Sequence, residues 1–112
     1  KLAARLRKRY GVEAEVLPAD LTRDADLSLV ENRIAGDSSL EMLVNNAGFG
    51  TSGSFVGLDL DREEEQIRLN VIALVRLTRA ALPGMIARRR GAIVNVSSMA
   101  AFQPGPFNAT YC

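Results

Sequence analysis

The sequence predicts an α/β fold, a doubly wound parallel sheet. Three observations point there. First, segments with apolar residues at every third or fourth position alternate with short continuous apolar runs. Strands alternating with helices imply βαβ units and hence a parallel sheet, because a helix must carry the chain back between parallel strands. Second, each apolar run ends in polar or small residues: Asp20, then Asn45 to Gly48, then Ser97 and Ser98. In open parallel sheets ligands sit beyond the carboxyl ends of the strands, so the period alone places these residues on one edge. Third, 112 residues of which 47% are hydrophobic suffice for one globular domain and not two.

The elements follow in order. Residues 1–10 form a basic helix, with Leu2 and Leu6 on a narrow apolar side, Arg5, Arg7, Lys8 and Arg9 beside them, and Gly11 as the stop. No capping residue and no initiator methionine precede it, so the helix is expected to be already under way and the chain to be part of something longer. Residues 13–19, EAEVLPA, read as a strand. Residues 22–35 carry Leu27, Leu29, Val30 and Ile34 on roughly helical spacing, with Thr22 or Asp24 as the cap. Residues 40–45 are a second strand, and the glycine-bearing residues 48–57 a loop.

The longest helix is expected over 61–89. Asp61 with Glu64 makes a capping-box variant, glutamates fill the first turn, and Arg88, Arg89 and Arg90 complement the dipole at the last. Ile67, Val71, Leu74, Val75, Thr78, Leu82 and Met85 form its apolar face, Pro83 should bend it, and Gly91 should end it. Residues 92–98, AIVNVSS, are a third strand, and residues 99–108 a loop bearing proline and glycine.

Composition excludes several functions. A formal net charge of +1 gives no broad basic field, so no nucleic-acid partner is expected. No apolar run looks long enough to span a bilayer, no signal peptide is visible, and no membrane partner is expected. The single Cys112 rules out an internal disulfide and suits a reducing compartment; a cytoplasmic location is the expectation. No metal site is expected. With no histidine and a terminal cysteine, Ser–His and Cys–His nucleophile schemes are excluded within these residues.

The stretch GFGTSG raises a specific question, because Gly48, Gly50 and Gly53 spell G-x-G-x-x-G. A pyrophosphate turn needs a strand before it, a helix opening inside it and an acid about twenty residues on. The strand is present, but no helix opens before the cap region at Asp61, and Asn70 to Ala73 stands where the acid should be. A pyrophosphate here would lack the helix N-terminus that neutralises it. The glycines are expected to form a flexible loop at the mouth of a cleft.

The more informative residues are Asp20-Leu21 after one strand, Asn45-Asn46-Ala47-Gly48 after the next, Asn70 within LNV, GAIVNVSS at 91–98, and Tyr111 thirteen residues after Ser98. In this order and spacing the chain resembles the short-chain dehydrogenases/reductases along essentially its whole length. The resemblance implies a single Rossmann-like dinucleotide-binding domain over 1–112, lacking the first strand with its glycine-rich turn and the C-terminal part. It implies an oxidoreductase that uses NAD or NADP to interconvert a carbonyl and a secondary alcohol by hydride transfer. It gives Asp20 and the Leu21 backbone to the adenine, although Asp20 could equally cap the following helix. It gives Asn46, Ala47 and Gly48 to the adenosine ribose, although Asn and Gly make an adequate turn unaided. Asn45 would mainly tie strands together.

Catalysis would fall to Asn70, Ser98 and Tyr111. By resemblance Asn70 holds a water in a proton relay, Ser98 hydrogen-bonds the substrate oxygen, and Tyr111 is the general acid/base. A phenol with a reference pKa near ~10 releases its proton too reluctantly near neutrality unless positive charge lowers it. The family supplies that charge with the oxidised nicotinamide and a lysine four residues after the tyrosine, a position beyond Cys112. Ser97, one residue off, should point to the other side of the strand. Residues 99–107 would wall the substrate pocket, and Phe102 and Phe107, with Phe49 or Phe55 opposite, suggest an apolar substrate portion. A small-molecule carbonyl or alcohol is the expected substrate, and a homo-oligomer is expected through the 61–89 helix, which in the resembled family packs against its copy. These residues alone are expected to be inactive, with activity belonging to the full-length enzyme. The alternatives are an inactive fragment acting through association and an unrelated α/β nucleotide binder such as a flavodoxin-like module.

Overall fold

The computed structural model describes residues 1–112. Helix α1 spans Leu2–Tyr10, α2 spans Asp24–Ala35, and strand β1 covers Met42–Asn45. A long helical rod then runs from α3, Leu60–Ile67, through a π-helical segment, Arg68–Ala73, into α4, Leu74–Arg88. Strand β2 is Ala92–Asn95, and short 3-10 turns lie at Phe55–Gly57 and Met99–Phe102.

The two strands are parallel neighbours, paired Met42 with Ala92, Leu43 with Ile93, Val44 with Val94 and Asn45 with Asn95. The rod is therefore the crossover of one βαβ unit. Paired residues in a parallel ladder share a face, which lets Asn45 Nδ2 donate to Asn95 Oδ1 at 2.9 Å and to Thr78 Oγ1 of α4 at 3.1 Å. This ties both strands and the helix together just where the strands end.

The core lies on one face of the sheet. Leu27 of α2 packs with Ala73 and Leu77 of the rod, and Leu21, Val30, Ile34, Leu43 and Leu69 surround them. Met42 and Val44 alternate to the opposite face, where they remain 55% and 51% exposed. Helix α1 buries no residue.

Several sequence expectations are corrected. Residues 13–19 do not form a strand: no residue there makes a backbone–backbone hydrogen bond, and Val16 is 65% exposed. An extended segment becomes a strand only when a neighbour completes its ladder, and β1 and β2 pair with each other instead. Neither Thr22 nor Asp24 caps α2; the N-cap is Arg23, without a side-chain cap bond. The rod begins at Leu60, capped by Asp59 accepting from the Asp61 N–H at 2.9 Å, so Asp61 is not the cap. At its other end Arg89, not Gly91, takes the left-handed capping conformation (φ 51°).

Pro83 sits inside α4 without breaking it, while the irregularity falls at Arg68–Ala73 around Asn70. Pro83 and Arg79 are both exposed, so the turn that loses a hydrogen bond at Pro83 lies on the outer side of the helix. The buried face differs in part from the expected one: Met85 is buried as expected, but the other buried positions lie outside the expected stripe. Glu63, Gln66, Ala73, Leu77, Ala81 and Met85 are buried, whereas Ile67, Val71, Val75 and Leu82 are exposed. Gln66 meets the glycine loop, Ala73 and Leu77 pack with Leu27 and Leu43, and the stripe of Ile67, Val71, Val75 and Leu82 is left exposed. Finally, Leu60–Arg88, 29 residues with a mean hydropathy of 1.4 over its most apolar stretch, is long and apolar enough to cross a bilayer, contrary to the expectation that no such run exists. One face of it packs against α2 and the sheet, while only 22% of that stretch is buried.

Candidate active site

The carboxyl ends of β1 and β2 open onto a cleft of ≈ 390 Å³, lined by Asn46, Ala47, Gly48, Asn70, Ser98 and Tyr111 among others. Four separate stretches of sequence thus meet at one place: the β1 exit, the π-segment, the β2 exit with the 3-10 turn that follows it, and the turn carrying Tyr111.

Asn70 is held by the wide π turn against the loop after β1. Its Nδ2 donates to the Phe49 carbonyl at 2.8 Å and its Oδ1 accepts from the Phe49 N–H at 3.2 Å. Both halves of the amide are used, which answers how a polar residue survives in an apolar helix. A π-bulge places one extra residue in the turn and is frequent at functional sites. Gly48 fits beneath the same amide; a Cβ there would lie 3.0 Å from Asn70 Oδ1.

Ser98 is the N-cap of the 3-10 turn, its Oγ accepting from the Ala100 N–H at 3.2 Å. Acceptance leaves the hydroxyl proton free to donate into the cleft. Because β2 ends at Asn95, the strand alternation does not reach the serines, and Ser97 lines the same cleft as Ser98 rather than the opposite side.

Leu21 belongs to an adjoining apolar cavity that shares Asn46 and Ala47 with the cleft, while Asp20 lines neither. Asp20 Oδ1 accepts from the Thr22 hydroxyl at 2.7 Å and the Thr22 N–H at 3.1 Å. The Thr22 hydroxyl, then its N–H, holds the Asp20 carboxyl below the usual carboxylate range. Asp20 therefore organises the turn before α2, and its other oxygen makes none of these bonds.

Two residues escaped the sequence reading. Gln66, 1% exposed, accepts from the Thr51 N–H at 2.6 Å and the Thr51 hydroxyl at 3.1 Å. The signal was present, since Gln66 precedes Asn70 by four residues and so shares its helix face. Thr78, counted as part of an apolar stripe, instead serves Asn45.

The sequence model of the family described as "short chain dehydrogenase" matches residues 1–112. The very-long-chain 3-oxoacyl-CoA reductase of Anas platyrhynchos is 36% identical over 118 residues, covering 99% of this chain and 37% of that protein. A solved short-chain dehydrogenase from Sphingobium yanoikuyae in complex with NADPH superposes with a TM-score of 0.94 at 45% identity, covering 98% of this chain and 43% of that one. The bulky-bulky ketone specific alcohol dehydrogenase from Comamonas testosteroni superposes with a TM-score of 0.93 at 38% identity, covering 98% and 44%. The chain thus spans well under half the length of these relatives, and its helices and parallel strands form part of their Rossmann-like α/β sheet. With a match along its entire length, the chain belongs to the short-chain dehydrogenase family.

Proposed function

We propose that the protein is an NAD(P)-dependent oxidoreductase that interconverts a carbonyl and a secondary alcohol, with Tyr111 as the general acid/base. The observation that carries this reading is the single cleft on which Asn46 to Gly48, Asn70, Ser98 and Tyr111 converge. Asn46, Ala47 and Gly48 are exposed along it with little side chain, which suits a flat ligand lying close to the backbone. A relative solved with NADPH supports the cofactor class. When bound, the nicotinamide supplies or accepts the hydride.

The chain's own residues do the rest. Tyr111 hands its phenolic proton to the carbonyl oxygen in reduction and takes it back in oxidation. Ser98 donates its free hydroxyl proton to the same oxygen and stabilises the charge that develops there. Asn70 keeps the loop at Phe49 closed over the β1 exit. None of Met99, Phe102, Phe107 and Phe55 lines the cleft; they are 85%, 88%, 66% and 64% exposed, apolar surface that a substrate with a bulky apolar portion would cover.

Steady-state assays on the protein expressed from its full coding sequence test the reading. Reduced nicotinamide cofactor should be consumed with bulky ketones. Tyr111→Phe should lower turnover by at least about 100-fold while cofactor affinity and Tm hold, since the ring stays and only the proton is lost. Undiminished turnover by Tyr111→Phe would sink the proposal.

A further inference from the structure

Residues 49–53 are clamped from the helix side. Asn70 holds both backbone groups of Phe49, and Gln66 holds the N–H and hydroxyl of Thr51. Gln66 is 1% exposed, so the loop cannot lift away without leaving a buried amide unpaired. Gly50 lies between these two anchors, and its missing side chain points the other way. A Cβ on Gly50 would lie 2.9 Å from both Cγ and Cδ2 of Tyr111 and 3.3 Å from Cδ1.

The same loop is tied to the segment leading into Tyr111. The Gly53 N–H donates to the Phe107 carbonyl at 2.8 Å. Phe107 makes that contact from a left-handed conformation, φ 66°, which a bulky residue adopts only when its surroundings impose it.

We propose that Gly50 is a positioning residue for Tyr111: its bare α-carbon is the platform on which the phenol ring rests. This rests on the reading of Tyr111 as the proton donor. Carbon atoms pack best at about 3.5–4.0 Å, so a methyl group at Gly50 forces something to move. Two side-chain amides hold the loop, so it is the ring that moves. The contacted atoms are at the base of the ring, not at the end of a flexible chain, so the whole phenol is displaced.

The test uses Gly50→Ala, Tyr111→Ala and the double variant in the protein expressed from its full coding sequence. Gly50→Ala should lower kcat by about 10- to 100-fold, the scale of a catalytic group misplaced by ~1 Å. Cofactor affinity should change by less than about twofold, because the residues assigned to the cofactor are untouched. Gly50→Ala should also lower Tm in the wild type but not in the Tyr111→Ala background, where the ring is gone. A kcat within about twofold of wild type, or an equal loss of Tm in both backgrounds, overturns the proposal. Should Gly50→Ala fail to fold, folding of the double variant supports the platform and its failure overturns it. Turnover that survives Tyr111→Phe defeats the catalytic reading alone, because the Tm comparison is made without turnover.

Discussion

Glu63 is 5% exposed in the first turn of α3, and neither carboxylate oxygen has a hydrogen-bond partner. An acid near a helix N-terminus gains about 0.3–1 kcal/mol from the dipole. An unpaired buried polar group costs about 1–3 kcal/mol, and more when it is charged. Burial therefore outweighs the dipole. Glu63→Met, similar in length and without polar oxygens, should stabilise the protein by about 1–2 kcal/mol at neutral pH. A higher denaturant midpoint at unchanged m-value would show it, and a lower midpoint would refute it. Asn70 and Gln66, on the same helix face, show the contrast: equally polar, they are retained because the loop after β1 satisfies them.

Between elements, α2 and α4 are clasped by Arg76. Its Nε and Nη2 each donate to Glu31 at 2.6 Å, and it reaches Ser28 at 3.3 Å and Asp24 at 3.5 Å. The Arg76 hydrogen bonds hold the Glu31 carboxyl below its ordinary range; burial opposes them, and the Arg76 charge adds a still smaller lowering. A carboxyl lowered in the folded state contributes stability that is complete above its ordinary value and is lost as pH falls through the folded one. Stability should therefore drop on acidification below about pH 5, and Glu31→Gln should flatten part of that slope. Chemical denaturation across the acid range measures it; an unchanged slope would remove the clasp from the account. The side chains are 34% and 22% exposed, so salt should weaken the effect.

At the scale of the molecule, the radius of gyration is 16.5 Å, against about 13 Å for a compact domain of this length. The excess reflects one open sheet face and an α1 that buries nothing. The rod also carries an unpartnered apolar stripe. Val75, Leu82 and Ile86 are 57%, 39% and 68% exposed, and their spacing places them on one side of α4, with Val71 of the preceding π-segment one turn before Val75. A stripe of this kind suits packing against a second copy of the same helix, with residues meeting their symmetry mates. Val75→Glu sets two like charges against each other and should shift the full-length protein toward monomer in light scattering. An unaltered mass would place any self-association elsewhere.

The sequence by itself determined the alternation of helix and strand, the polar ends of the strands and the Ser98-to-Tyr111 spacing. These are legible because periodicity and motif are written in neighbouring residues. It also weighed against the pyrophosphate reading of GFGTSG, since a missing helix is a local fact. Only the tertiary structure decided which residues lie inside. Residues 13–19 carry the pattern of a strand, but a ladder needs a partner that no local pattern supplies. The rod buries Gln66 and Ala73 and exposes Val71 and Val75, because the face that meets the sheet is set by the π turn and the glycine loop rather than by hydrophobicity alone. The Gly50–Tyr111 contact is of the same kind. Nothing near either residue in sequence announces it, and it exists only because the β1 exit and the turn before Cys112 are folded onto one cleft.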